Sequence, residues 1–132
     1  METLSNRCAL VVNDEPTNLL LLEALMEAFG FSHLSATQGE EALKLLEQYH
    51  GKEPVSVIVT DLQMPIMDGR TFITRLRTDP NFQAFSQVPV FVMTATRPEL
   101  IGDLPEGIRV IPTPLRLDEV SACFRSAGVS VG

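Results

Sequence analysis

Five short apolar runs, separated by longer polar or amphipathic stretches, constrain the fold of this chain more than any other feature. Runs of this length that are apolar on both faces are typical of strands in a parallel sheet with helices on both sides. The pattern therefore predicts an α/β fold with strands at residues 8–12, 32–36, 55–60, 88–94 and 108–112.

Alternating strands and helices in this number fit a doubly wound, five-stranded parallel sheet, and we predict the flavodoxin-like strand order 2-1-3-4-5. In that order a site lies beyond the carboxyl ends of the strands, where the first and third strands are neighbours. The residues at these two ends are Asn13, Asp14 and Glu15 after the first strand and Asp61 after the third. The sequence thus places acidic residues where the fold places its site.

Two helices are predicted in the first half of the chain. The first begins near Pro16, which suits a first helical turn, and ends at Gly30, which suits a C-terminal cap. The second follows Thr37, whose spacing to Glu40 is that of a capping box. Its periodicity predicts an inward face made of Ala42, Leu45, Leu46 and Tyr49.

Two further helices are predicted at residues 69–78 and 117–127, the latter stopped by Gly128. Their predicted inward residues are Phe72, Ile73 and Leu76 in the earlier helix and Leu117, Val120, Phe124 and Ala127 in the later one. Residues 97–107 are too rich in Pro and Gly for more than a turn or two, so the fourth helix is predicted to be short or irregular.

Length and charge limit the class of protein. The 132 residues predict a single domain, 1–132, and the 45% hydrophobic content is sufficient for a core without a metal or disulfide. A net charge of −7 argues against direct binding of nucleic acid or anionic membrane. No stretch resembles a membrane span or signal peptide, and Cys8 and Cys123 lie in apolar segments, so we expect buried thiols and a cytoplasmic location.

Asp14 and Asp61, at neighbouring strand ends, form a predicted carboxylate pair whose mutual repulsion a cation would relieve. Mg2+ commonly takes one or two carboxylates together with water and phosphate oxygens. Thr94 ends the fourth strand beside the third, so its hydroxyl is expected at the same edge. A carboxylate nucleophile, a cation and a hydroxyl donor are suitable parts for carrying a phosphoryl group.

The segments "LVVNDEP", "VIVTDLQMPIMDG" and "VFVMTAT", in this order and spacing, resemble the receiver domain of two-component response regulators over essentially the whole chain. The resemblance implies that Asp61 accepts a phosphoryl group from a sensor histidine kinase or phosphotransfer protein. It further implies that Mg2+ is held by Asp14, Asp61 and the backbone carbonyl of Gln63, and that Thr94 binds the phosphate. Output would then pass to a partner protein or to an output domain outside this sequence.

The chain departs from the family pattern at the first and last strand ends. Asn13 stands where the family usually has an acidic residue, and Thr113 stands in place of the usual lysine; Val110 replaces the usual aromatic switch residue. The formal charge of the pocket is unchanged, because one carboxylate and one ammonium are lost together. The lysine–phosphate contact is not replaced by Thr113, although Asn13 could ligate a metal weakly or through water. Glu15 and Arg97 are candidate substitutes, and Thr113-Pro114 is expected to be cis.

Two other functions compete with phosphoryl acceptance. One is a pseudo-receiver that acts as a protein interaction module without phosphorylation, as the departures at Asn13 and Thr113 suggest. The other is a phosphohydrolase with Asp61 as nucleophile, but Gln63 stands where such enzymes have a second aspartate, and we expect no enzyme activity. His33 and His50 have no sequence partner and are predicted to be ordinary surface histidines.

Overall fold

The computed structural model describes residues 7–49 and 53–131. Its strands form one five-stranded sheet in the order β2-β1-β3-β4-β5, in which every neighbouring pair is parallel. The predicted strand order is therefore confirmed. The strands are β1 (Cys8–Val12), β2 (Ser32–Ala36), β3 (Val55–Thr60), β4 (Val90–Thr94) and β5 (Arg109–Pro112).

The helices alternate with these strands as predicted. They are α1 (Pro16–Ala28), α2 (Gly39–Gln48), α3 (Gly69–Thr78), α4 (Pro98–Ile101) and α5 (Leu117–Ser126). The four-residue α4 confirms that the fourth helix is short. A 3-10 helix at Pro80–Phe85, which the sequence reading did not predict, connects α3 to β4.

Two apolar layers cover the two faces of the sheet, and β1 shows how the sequence separates them. Leu10 and Val12 belong to the layer that contains α2, α3 and Ile101 of α4, whereas Ala9 and Val11 belong to the layer that contains α1 and α5. All five residues of β1 are buried, because alternate side chains along a central parallel strand face opposite layers. The carboxyl ends of the strands are thereby held at one edge.

The predicted cap at the start of α2 was wrong. The N-cap of α2 is Gln38, whose side-chain oxygen accepts a hydrogen bond from the backbone N–H of Glu40. Thr37 instead donates, from both its backbone and its hydroxyl, to the carboxylate of Glu41. The Thr37–Glu40 capping box is therefore not formed, because the helix starts one residue later than that box requires.

The inward faces of α2 and α5 also differ in part from the prediction. Leu43 is buried, and Leu45 and Tyr49 are only partly buried. Leu117, predicted to face inward, is 61% exposed and is the first residue of α5. Val120 and Phe124 are fully buried as predicted.

The sequence also predicted one cis peptide bond and two surface histidines. The Thr113-Pro114 peptide bond is cis, as expected. Nε2 of His33 donates to the carboxylate of Glu27 over 2.9 Å at the surface, which agrees with an ordinary surface histidine. The prediction for His50 lies outside the described residues.

Candidate functional site

Backbone hydrogen bonds beyond the strands fasten the carboxyl edge of the sheet. The N–H of Asp61 donates to the carbonyl of Val12 at 3.2 Å, and the N–H of Thr113 donates to the carbonyl of Thr94 at 3.0 Å. These bonds fix the first residue after β3 against the end of β1, and the first residue after β5 against the end of β4. The strand-end side chains are consequently held in fixed positions relative to one another.

A cleft of about 310 Å3 opens at this edge. Its polar lining is made of Asn13, Asn18, Asp61, Thr94 and Thr113. The predicted acceptor Asp61, the predicted phosphate-binding Thr94 and both departures from the family pattern thus meet in one place. No lysine or arginine occurs among the described residues that line it. An anion held here would meet hydroxyl and amide groups, without a direct side-chain cation.

Asp61 is half-buried at the end of β3, and burial raises the pKa of its carboxyl above the ordinary value of 3.8. Hydrogen bonds from the backbone N–H groups of Leu62 and Gln63 oppose this increase in pKa, and the charge of Asp14 adds to it. The bond from Leu62 to Oδ1 is 2.7 Å long. Desolvation is the largest cause, so the ionised carboxylate is a destabilised group that gains from any cation that reaches it.

The residues predicted to hold Mg2+ differ in their placement. Asp14 is exposed and close enough for its charge to raise the pKa of Asp61. Asn13 is buried, and its side-chain oxygen accepts a hydrogen bond from the N–H of Glu15 at 2.9 Å. The described residues contain no group of three or more His, Cys, Asp or Glu side chains that would hold a metal. The donors present suit an ion that keeps most of its water, as Mg2+ does.

Thr94 is buried at the end of β4, 3% exposed. Its hydroxyl lies near enough to Asp61 to lower the pKa of that carboxyl slightly. Its directed hydrogen bonds go elsewhere: it donates to the hydroxyl of Thr96 at 3.1 Å and accepts from the N–H of Thr96 at the same distance. To donate to a group on Asp61, Thr94 would have to give up the bond that it donates to the hydroxyl of Thr96.

The two candidate substitutes do not line the cleft. The carboxylate of Glu15 caps α1 by accepting from the N–H of Asn18, and Arg97 pairs with the carboxylate of Glu99 at the surface. Val110, at the position of the usual aromatic switch, is 37% exposed on β5. Both charged side chains are therefore committed to local partners.

The geometry of the loop from Asp61 to α3 accounts for several of the turn residues in "DLQMPIMDG". A Cβ at Gly69 would lie 2.0 Å from the backbone oxygen of Asp61, so only glycine permits this close approach. Asp68 caps α3 by accepting from the N–H of Thr71, and Ile66 adopts a positive φ of 66°. The loop is thus folded tightly against Asp61.

Sequence reasoning missed the apolar wall of the cleft. Leu21, Leu22, Met93 and Leu115 line it together with the polar residues. Leu21 belongs to the run of four leucines near the start of α1 and is 56% exposed beside the cleft. The sequence signal for this apolar wall was the excess of apolar residues in α1, the helix that follows β1.

A comparison with protein families agrees with the fold. The model of the response regulator receiver domain matches residues 9–102, which is more than half of the chain. The chain therefore belongs to the response regulator receiver family and is a receiver domain of two-component signalling. No helix within residues 7–49 and 53–131 has the length and apolar character that a membrane span requires.

The similar proteins include a sensor histidine kinase, a probable chemotaxis protein and a probable transcriptional regulator. The sensor histidine kinase GacS of Pseudomonas protegens is 35% identical over 96 residues, 71% of this chain and 10% of the relative. The probable chemotaxis protein CheY of Rhizobium etli is 36% identical over 73 residues, 54% of each protein. The probable transcriptional regulator ycf27 of Porphyridium aerugineum is 34% identical, with 89% and 46% coverage. The matches thus span about half or less of these three relatives.

Solved structures share the fold at lower sequence identity. The chemotaxis response regulator CheY4 of Vibrio cholerae superposes with a TM-score of 0.75 at 20% identity, covering 92% of this chain and 98% of that one. The receiver domain of sensor histidine kinase PA1611 from Pseudomonas aeruginosa, which has a magnesium ion in its active-site cleft, gives 0.73 at 23% identity, with 92% and 97% coverage. These likenesses support the fold.

Proposed function

We propose that this receiver domain accepts a phosphoryl group on Asp61 from a phosphohistidine of a sensor histidine kinase or phosphotransfer protein. The observation that carries the proposal is the convergence of Asp61, Thr94, Asn13 and Thr113 on one cleft at the sheet edge. The phosphorylated form then acts on a downstream effector protein or on an output domain. The role is signalling rather than substrate turnover.

The transfer uses the carboxylate of Asp61 as nucleophile. An oxygen of this carboxylate forms a bond to phosphorus while the phosphorus–nitrogen bond of the phosphohistidine breaks, and the imidazole nitrogen keeps the bonding electron pair. The raised pKa of Asp61 marks a poorly solvated carboxylate, which loses less hydration energy when it reacts. The hydroxyl of Thr94 is the donor available to the new phosphoryl oxygens.

The residues present fit Mg2+, because a half-buried carboxylate and a second nearby carboxylate leave a negative site with room for water. We propose Asp14, Asp61 and the backbone carbonyl of Gln63 as its ligands, with Asn13 contributing weakly or through water. When bound, Mg2+ would supply positive charge that neutralises phosphoryl oxygens. This positive charge matters more here than it would with the family's usual lysine at position 113, because Thr113 brings no charge to the cleft.

A second candidate is a pseudo-receiver that signals by protein contact without phosphorylation. The absence of a cation among the described residues lining the cleft favours it, because a phosphoryl group gains its strongest hydrogen bonds from charged donors. The hydrogen bonds between Thr94 and Thr96 also favour it, because they engage the hydroxyl that would bind the phosphoryl group. Both functions use the same fold and differ in whether Asp61 reacts.

Mass spectrometry distinguishes the two functions. The protein is incubated with Mg2+ and acetyl phosphate, and its intact mass is measured. We expect a gain of one phosphoryl group in the wild type and none in Asp61→Asn. Asp68→Asn is the matched control from the same loop, since asparagine also caps helices well, and it should be phosphorylated like the wild type.

Two results would contradict phosphoryl acceptance. One is no gain in mass in the wild type under conditions where circular dichroism shows a folded protein, and this outcome favours the pseudo-receiver. The other is a gain that survives in Asp61→Asn, which would place the reaction on another residue.

A further inference from the structure

Arg70, the second residue of α3, reaches across to the segment that contains α4. Its Nη2 donates to the backbone carbonyl of Ile101, and its Nη1 donates to the backbone carbonyl of Asp103. The last carbonyls of a helix have no partner within the helix, and a cation is favoured at that end. A single guanidinium therefore holds the C-terminal end of α4 and the turn beyond it.

Few other contacts hold α4. The helix has four residues, and its N-cap residue Arg97 makes no side-chain capping bond. Only Ile101 of its four residues is buried, whereas Leu100 is 70% exposed. A helix this short is not stable by its own hydrogen bonds. The position of α4 rests on the burial of Ile101 and on the two bonds from Arg70.

The same segment is joined to the acceptor site at its other end. It leaves the sheet at Thr94, whose hydroxyl is bonded to Thr96. A second cleft, of about 200 Å3, lies between the acceptor loop and this segment: Leu62 and Gln63 line it on one side, Thr96 and Ile101 on the other, together with Arg70. Arg70 thus borders both the residues that follow Asp61 and the segment that follows Thr94.

We propose that Arg70 is a positioning residue that fixes the resting conformation of residues 97–104. Binding of a phosphoryl group at Asp61 then has to overcome the contacts that Arg70 makes. To donate to that group, the hydroxyl of Thr94 gives up the bond that it donates to the hydroxyl of Thr96, and residues 95–97 then shift. Arg70 opposes the shift because it anchors the far end of the same segment. The coupling of the anchor to Asp61 rests on the proposed function, whereas the anchor itself does not.

The chain contains a matched control on the same helix. Arg77 lies seven residues after Arg70, two helical turns along, and is also half-buried. It likewise donates to two backbone carbonyls, those of Ser86 and Val88, which precede β4. The two arginines therefore make the same kind of contact at opposite ends of β4, and only Arg70 holds the segment that follows Thr94.

Hydrogen exchange followed by NMR tests the anchor. In Arg70→Met the amide of Leu100, which bonds to the carbonyl of Arg97, should exchange about three- to tenfold faster, since about 1 kcal/mol of side-chain hydrogen bonding is lost. The amides of Ser86 and Val88 should be unchanged. Arg77→Met should show the reverse pattern. Arg70→Lys should restore part of the protection, because an ammonium can donate to one of the two carbonyls, and it replaces Arg70→Met if that variant does not fold.

Beryllofluoride, a phosphoryl mimic, tests the coupling in the presence of Mg2+. We expect Arg70→Met to bind it about three- to tenfold more tightly than the wild type, Arg70→Lys to be intermediate, and Arg77→Met to lie within about twofold of the wild type.

The outcomes separate the two proposals. Unchanged Leu100 exchange in Arg70→Met overturns the anchor. Faster exchange with unchanged or weaker beryllofluoride binding overturns the coupling. A wild type that does not bind beryllofluoride contradicts the proposed function and with it the coupling, and the exchange rates still decide whether Arg70 holds the segment.

Discussion

The strands on the two sides of the cleft are held in different ways. β3, which leads to Asp61, pairs with strands on both sides, and five of its six residues are buried. β5, which leads to Thr113, is an edge strand with one buried residue in four, and the four-residue α4 precedes it. Packing of apolar side chains on both faces holds the strand that leads to Asp61, whereas the segment before β5 is held by the burial of Ile101 and by the bonds from Arg70 to the carbonyls of Ile101 and Asp103.

This difference suggests a division of labour. A group that must react has to be held rigidly, and full burial on both faces of a central strand provides that rigidity. A surface that must change between two states needs a small free-energy difference between them, which a few hydrogen bonds provide better than a packed core. The contrast is open to test by substitutions on each side.

The largest expected effect comes from comparing Phe72→Ala with Ile101→Ala. Phe72 is fully buried in α3, and its truncation should lower the free energy of unfolding by about 3–5 kcal/mol. Ile101 is buried in α4, and its truncation should cost about 1–2 kcal/mol, because a loosely held segment can move to fill the space. Urea denaturation measures both values. Equal losses would show that α4 is as firmly packed as α3.

Thr113→Lys should have an intermediate effect, on ligand binding rather than folding. A lysine at this cleft position would bring a cation to phosphoryl oxygens, and we expect about tenfold tighter binding of beryllofluoride with Mg2+. Isothermal titration calorimetry measures the change, with Thr113→Met as the control for side-chain length. Equal affinities in Lys and Met variants would show that the side chain of residue 113 does not reach the bound group.

The smallest expected effect is a pH-dependent gain in stability in Asp61→Asn. Because burial raises the pKa of Asp61 in the folded state, the wild type loses stability as the pH rises from 3.8 through the folded-state pKa. At pH 7 without Mg2+, the variant should therefore be more stable, by about 1 kcal/mol or less because the carboxylate is partly screened by water.

Thermal unfolding measured between pH 3 and pH 7 checks the sign. The difference in Tm, about 3 °C per kcal/mol for a domain of this size, should shrink as the pH falls below the folded-state pKa. A variant that is less stable than the wild type at pH 7 would contradict a desolvated acceptor. Added Mg2+ should reduce the difference by stabilising the wild type alone.

The positions of Asp61 and Thr94 were predictable from local patterns, the sheet order from the alternation of strands and helices, and the role of position 113 only from the family resemblance. An apolar run followed by a polar residue marks the carboxyl end of a strand, and parallel topology brings such ends together. The Thr37–Glu40 cap was predicted wrongly because two glutamates follow Thr37 at competing distances, and the start of the helix chooses between them. Leu117 was wrongly placed because periodicity gives the face of a helix but not which of its turns the rest of the protein covers.

By itself, then, the sequence determined the strands, most helices and the residues at the strand ends, since hydrophobic periodicity and turn residues act over a few positions along the chain. Only the tertiary structure decided how those residues are engaged: Thr94 is bonded to Thr96, Glu15 caps α1, and Arg97 pairs with Glu99. It also decided the contact of Arg70, whose partners are backbone carbonyls 31 and 33 residues away. Every residue carries such a carbonyl, so no sequence pattern distinguishes the two that Arg70 meets.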